Sequence, residues 1–429
     1  MIMGSRKKII AWTLIFGALA GGTWWPTVRP SGYGCGPSLG LLWGLLWVLL
    51  MWWKSKEAPF PSQALYILLA FIIGFSIAGT QGYGQFNQWI TGKFYLDSEV
   101  NAWVPIHPFY GFYHLFICGL TWGGFPALLI SWIIGGKKGL RPWIKRIVVG
   151  ILGLVVSYAL FTVPDMFLPL YAEGYYADLL SCPDCLRTIE TAQNTYSYLA
   201  IFLFLAVYTM IKNKQSSKII VPIALGFAFT FSFGGILHRG EYIPGLESMP
   251  WWKLWEFTCG FGGGLSIIIA FWVTERSGSL DRYIEKSKRG GQQDYWWGFW
   301  LPFYIATGEL ARDRIHQVAK LYYKLYSIDF RSEFFYLEIA AIGITVLLCL
   351  RRLLIFRKNE ENLHTLHVHR PKWLFLAVYI GYFLLILPRW IVIPLNFENN
   401  VISLLTITAC LFSLVMFGLI SKFEKGEIL

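Results

Sequence analysis

Apolar blocks of about twenty residues, separated by short polar segments, recur along the whole chain. About twenty apolar residues in a helix span the roughly 30 Å hydrocarbon core of a bilayer, so each block is a candidate membrane span. The blocks lie at about 9–25, 38–53, 62–80, 108–134, 144–171, 194–211, 219–237, 252–273, 295–307, 334–350, 373–395 and 401–420. Together they predict an all-α, polytopic transmembrane bundle of about 12 helices. With 55% hydrophobic and only 14% charged residues, the chain cannot be a soluble globule.

Charge sets the expected orientation. The net charge of +12 resides in short loops between apolar blocks, which is the positive-inside pattern and not a nucleic-acid footprint. Up to residue 294 the segments read as cytoplasmic hold 18 Lys and Arg, among them Lys137, Lys138, Arg141, Lys145 and Arg146, against five in the outer segments. The expected location is a bacterial cytoplasmic membrane with both termini inside. The basic start, Met1 to Lys8, followed by 9–25, reads as a retained helix or as a signal peptide cleaved after Ala18-Leu19-Ala20. Retention is favoured, because Lys8-Ile9-Ile10 opens this block much as Arg146-Ile147-Val148 opens the fifth.

The chain also resembles itself. Phe75-Ser76, Gly79 and Gly84-Gln85-Phe86 match Phe231-Ser232, Gly235 and Gly240-Glu241-Tyr242 at one offset, and Pro108 with His114 matches Pro250 with Glu256. The expected organisation is a four-helix repeat at 1–136, a second at 137–275 and a C-terminal four-helix block at 276–429. Separation by an even number of helices makes the repeat parallel. Within the last block, residues 310–328 put Ile315, Val318, Ala319, Tyr322 and Leu325 on one helical face, as in an amphipathic surface helix.

Ionisable residues inside apolar segments cost about 2.5–3.5 kcal/mol each to insert, so each calls for a partner or a purpose. With the expected orientation, His114, Asp165, Glu256, Glu338 and Arg389 all fall in the outer leaflet, and the outer loops add His107, His238, Arg239, Glu241, Glu247 and Lys253. An enzyme acting on an outer-leaflet substrate needs polar groups at this depth, whereas alternating-access transporters usually bind near the midplane. Candidate catalytic residues are therefore Glu256, His114, His238, Glu241 and Asp165, as acids and bases. Arg239 and Arg389 suit a phosphate or carboxylate. Tyr83, Gln85, Trp251 and Trp252 are candidates for contacting a sugar or headgroup.

Each candidate has a structural alternative. Glu256 stands three residues after Lys253 on one helix face and can simply pair with it, His114 can be a packing residue, and His238 to Glu241 can be a solvated helix exit. Gly260, Gly262, Gly263 and Gly264, with Gly119, Gly123 and Gly124, suit close helix packing, since no strand precedes them as a phosphate loop requires. The 21 Trp and 23 Tyr mostly flank apolar blocks, where amphipathic rings favour the membrane interface. Cys182 and Cys185 predict a local disulfide, or a bond from either to Cys35. His364, His367 and His369 resemble a metal motif but lack supporting ligands, so no metal site is assigned. No nucleotide or hydrolase fingerprint is present and the cofactor is unknown.

The YGQ of Tyr83 to Gln85 and the WWKLWE of Trp251 to Glu256, each before a glycine-rich helix, resemble a group of uncharacterised bacterial multi-helix membrane proteins. That resemblance covers roughly the first 275 residues and implies no activity. The placing of Pro250 and Glu256 after a glycine-rich outer loop is also similar to prolipoprotein diacylglyceryl transferase, whose Arg-x-Gly-Asn-Phe stretch is missing here. The expected partners are the lipid bilayer and a lipid-linked or glycan substrate, with no nucleic acid. The expected function is a membrane-embedded transferase or hydrolase; a transporter, a channel or a non-catalytic scaffold subunit are the alternatives.

Overall fold

The computed structural model describes residues 2–28, 35–55, 61–135, 139–160, 168–281, 283, 302–309, 331–358, 375–381 and 397–424, with a few single positions between 311 and 323. The described chain is almost wholly helical. Its elements are α1 (Ile2–Val28), α2 (Cys35–Ser55), α3 (Pro61–Gly79), α4 (Gly84–Ile90), strands β1 (Lys93–Asp97) and β2 (Ala102–Pro105), α5 (Phe109–Gly135) and α6 (Leu140–Leu160). There follow α7 (Pro183–Lys212), α8 (Ser217–Gly234), a 3-10 stretch (Gly235–Tyr242), α9 (Trp251–Arg276), α10 (Arg331–Lys358) and α11 (Phe397–Glu424). Among the described residues nine helices are long and apolar enough to cross a membrane, or ten if α3 and α4, bent by 64° at their junction, form one broken span. The expected spans at 295–307 and 373–395 lie largely outside the described residues.

Glycines decide which helices meet. In α1 a Cβ on Gly21 would lie 2.1 Å from the Gly260 carbonyl oxygen, and in α9 a Cβ on Gly264 would lie 1.9 Å from that of Gly17. Only glycine lets these backbones approach so closely. A second seam joins α5 to α8, where a Cβ on Gly119 would lie 2.4 Å from the Phe227 oxygen. The close-packing reading of the glycine runs therefore holds. Both seams join residues 1–136 to residues 137–275, so the helices up to Arg276 pack as one bundle that includes α1.

The core between these seams is aromatic. Trp24, Trp25, Trp43, Trp47 and Trp122 are each at most 2% exposed, and Trp25 packs 5.0 Å from Trp122 and 5.7 Å from Trp43, centroid to centroid. These five tryptophans pack inside the bundle, where burying large rings gains contact area. Burial also ranks the helices: 94% of the α2 span is buried, 17% of α6 and none of α10. On α6 the exposed side chains Ile147, Ile151 and Val155 form an apolar face suited to lipid.

Sequence reading by twenty-residue blocks passes over two features. One is the β1–β2 hairpin, paired antiparallel from Lys93↔Pro105 to Asp97↔Ala102 with an irregularity between Tyr95 and Asp97. The other is the extra length of α7, which starts at Pro183, where the expected span starts at 194. Pro183 is well placed in a first turn because its missing N–H has no helical acceptor there. A Cys182–Cys185 disulfide closes this turn, as the local-disulfide reading expects, and the Asp184 carboxylate accepts from the Ser98 N–H at 2.7 Å, tying the turn to the hairpin.

Candidate functional site

The bundle has two distinct ends. At one, the hairpin end, lie α4, the β1–β2 hairpin, the 3-10 stretch and the start of α9. At the other, the basic end, α1 begins while α2 and α9 finish.

Glu256 is 2% exposed, one turn into α9 at the hairpin end. Its Oε1 accepts from Trp252 Nε1 at 2.8 Å and its Oε2 from Lys253 Nζ at 2.5 Å. Residues three and four apart share a helix face, so α9 supplies both partners itself. Lys253 keeps 30% of its side chain exposed, which lets the ammonium reach solvent while its carboxylate partner stays inside. The structural alternative read from the sequence is thus the arrangement present.

His238 differs from Glu256. It is 7% exposed, its ring lies 5.3 Å from Trp252 and 5.4 Å from Trp255, and its Nε2 is buried without a hydrogen-bond partner among the described residues. The two tryptophans are fixed in turn, Trp252 by Glu256 and Trp255 by donating to the Phe231 carbonyl at 2.9 Å. Neutral imidazole offers a donor on one nitrogen and an acceptor on the other, so a nitrogen left without a partner can take or give a proton.

The break between α3 and α4 meets this cluster from the other side. Tyr83, in the break, is 2% exposed and packs edge-on to Trp255 at 5.4 Å, and a Cβ on Gly84 would lie 3.9 Å from Trp252. Around the same break Gln85 Oε1, both side-chain polar atoms of Asn87 and Gln81 Nε2 are buried without partners among the described residues, while Gln81 Oε1 accepts from Thr121 at 2.7 Å. Irregular backbone at membrane depth is tolerated only inside protein or beside a cavity. Gln81, Asn87 and Trp255 were not among the sequence candidates. The polar letters crowded after Gly79, in TQGYGQFNQ, were the available signal.

The remaining candidates have other surroundings. His114 is fully buried, with Nδ1 against the Tyr110 carbonyl at 2.7 Å and Nε2 against the Tyr196 hydroxyl at 3.1 Å, and its ring packs on Phe86 and Trp89. Glu256 is held by Trp252 and Lys253, and His114 by Tyr110 and Tyr196, so each of the two matched positions has a set of partners of its own. Glu241 is exposed and pairs with Lys93 at 3.9 Å. Burial lowers the Lys93 pKa, but the Tyr242 hydroxyl, Tyr95 and Glu241 outweigh it and the net shift is upward. Tyr242 also donates to the Thr91 carbonyl at 3.2 Å, joining the second half of the bundle to the hairpin. Trp251 donates to the Leu246 carbonyl at 2.9 Å and covers Gly240, where a Cβ would lie 2.4 Å from its ring. Arg239 is exposed and makes no ion pair among the described residues. Asp165, Arg389 and the His364–His369 motif lie outside the described residues.

The fold and the lipid-suited faces define a multi-pass helical membrane protein. No protein family, curated protein or solved structure matches the chain.

Proposed function

We propose that the protein is an enzyme of the bacterial cytoplasmic membrane, with about 12 helices in a duplicated arrangement and both termini inside. The hairpin end faces outward, and the site there transfers or hydrolyses the head of a lipid-linked or glycan substrate. The observation that carries this reading is the unpartnered Nε2 of His238, held between Trp252 and Trp255. In this scheme His238 is the general base, the Glu256–Lys253 pair fixes Trp252, and the indole faces meet a sugar or prenyl surface.

The test is turnover by purified protein in lipid vesicles, supplied with radiolabelled lipid-linked sugars and phospholipids. Headgroup release or exchange is expected, falling by about a hundredfold or more in His238→Gln, as for loss of a general base. No turnover across the panel, or an unchanged rate in His238→Gln, ends this reading.

A non-catalytic assembly subunit is the second reading, favoured by the pairing of Glu256 with Lys253, of Glu241 with Lys93 and of His114 with Tyr196. A stoichiometric membrane partner retained after mild extraction, equally by wild type and His238→Gln, is its signature. The bent α3–α4 pair favours a transporter instead, and solute flux across vesicles would reveal one.

A further inference from the structure

At the basic end, away from the site above, α1, α2 and α9 enclose a cleft of about 190 Å³, lined by Arg6, Ile9, Thr13, Leu50, Trp53, Lys54 and Trp272. Its interior is apolar. The Thr13 hydroxyl is committed, accepting from Trp272 Nε1 at 2.9 Å and donating to the Ile10 carbonyl at 2.9 Å. Its mouth is charged with both signs: Arg6 donates to Glu275 at 2.6 Å, Glu275 faces Lys54 at 3.7 Å, and Lys54 contacts Asp281. The two inner members of this chain are shielded, with side chains 13% and 17% exposed for Glu275 and Lys54. The two ends, Arg6 and Asp281, are each 52% exposed.

We infer that this cleft binds a phospholipid with an ethanolamine headgroup, drawn from the leaflet at the basic end. Pockets that enclose a whole small ligand measure roughly 300–1,000 Å³. A smaller apolar cleft can hold only part of a molecule, and a lipid leaves most of its length outside. An exposed cation and an exposed carboxylate at the two ends of one neutral chain complement a headgroup carrying both phosphate and ammonium. The Arg6 guanidinium has donors beyond the one used on Glu275 and takes the phosphate. Asp281 takes the ammonium. An anionic headgroup would satisfy Arg6 but face Asp281 and Glu275 unfavourably, and a choline headgroup has no N–H to give Asp281. By the positive-inside rule this end, with Arg6, Lys7, Lys8 and Lys54, is cytoplasmic.

The test uses the full chain in nanodiscs containing a small fraction of phospholipid brominated on the acyl chain, with tryptophan fluorescence as readout, since Trp53 and Trp272 line the cleft. Brominated phosphatidylethanolamine is expected to quench at about threefold to fivefold lower mole fraction than phosphatidylglycerol or phosphatidylcholine, the range of exposed ionic contacts. Arg6→Gln should remove the preference, and Asp281→Asn should turn it toward phosphatidylglycerol. Both side chains are half exposed, so the variants should fold, which an unchanged melting temperature confirms. Equal quenching by all three lipids means annular lipid only and overturns the inference. So does a phosphatidylglycerol preference in the wild type, or a preference that neither variant alters.

Discussion

Lys253 Nζ lies 2.5 Å from Glu256 Oε2, yet the two side chains differ in burial, 30% exposed for Lys253 against 2% for Glu256. The pair should therefore respond asymmetrically to loss of either member. Glu256→Gln keeps an acceptor for Trp252 and releases a lysine that can turn to solvent, so a loss of about 1 kcal/mol is expected. Lys253→Met leaves a carboxylate buried without its counter-charge and should cost roughly 3–5 kcal/mol. Thermal unfolding in detergent checks this, and the double variant should recover most of the Lys253→Met loss. Equal losses for the two single variants would show that Glu256 does not depend on Lys253.

The α1–α9 seam makes a sharper demand. A Cβ on Gly264 would meet the Gly17 backbone oxygen at 1.9 Å, and backbone yields less easily than a side chain. Gly264→Ala should separate the helices and cost about 1–3 kcal/mol as overpacking. Among the described residues Gly343 in α10 has nothing within 4 Å of its Cβ position. Gly343→Ala should therefore be neutral, or stabilising by up to about 1 kcal/mol through helix propensity. Melting temperatures of the two variants compare the sites directly.

Lys93 joins hairpin and bundle through Glu241 and the ring of Tyr242, 5.1 Å from its ammonium. Its folded pKa lies above the ordinary 10.5. A raised pKa means that folding favours the charged form, so this stabilisation is complete below about pH 10 and is lost as the pH rises through the folded value. Hairpin protection measured by hydrogen exchange should hence be level from pH 6 to 9, after correction for intrinsic rates, and fall in strong alkali. Lys93→Met should remove the alkaline step at a cost under about 1 kcal/mol, since the pair is partly exposed.

What could be read in advance followed from local spacing. Lys253 and Glu256 are three apart and Gly260 and Gly264 four apart, so one helix face fixes each relationship. Relationships across distance were not legible. His114 matched Glu256 by position in the chain, but its surroundings depend on Tyr196, 82 residues away on α7, whose hydroxyl meets its Nε2. Trp43 and Trp47 could not be assigned to core or interface until α2 proved to be the central helix. Strands of five and four residues fall below any search for twenty-residue blocks, although Lys93-Phe94-Tyr95-Leu96-Asp97 carries the aromatic character of a strand.

His238 supports a prediction in which stability and function move in opposite directions. A buried nitrogen without a partner costs stability, and an aromatic ring of similar size without that nitrogen would not incur the cost. His238→Phe should preserve the packing against Trp252 and Trp255 and leave the protein as stable as wild type, or more stable by about 1 kcal/mol. If the nitrogen is the working base, the same substitution should abolish headgroup turnover, and His238→Gln, which restores a polar group without a usable proton acceptor of the same basicity, should not rescue it. A stabilised His238→Phe protein with full turnover would mark His238 as a packing residue and end its assignment as the base. A strongly destabilised His238→Phe would instead show that Nε2 has a partner in the folded membrane protein.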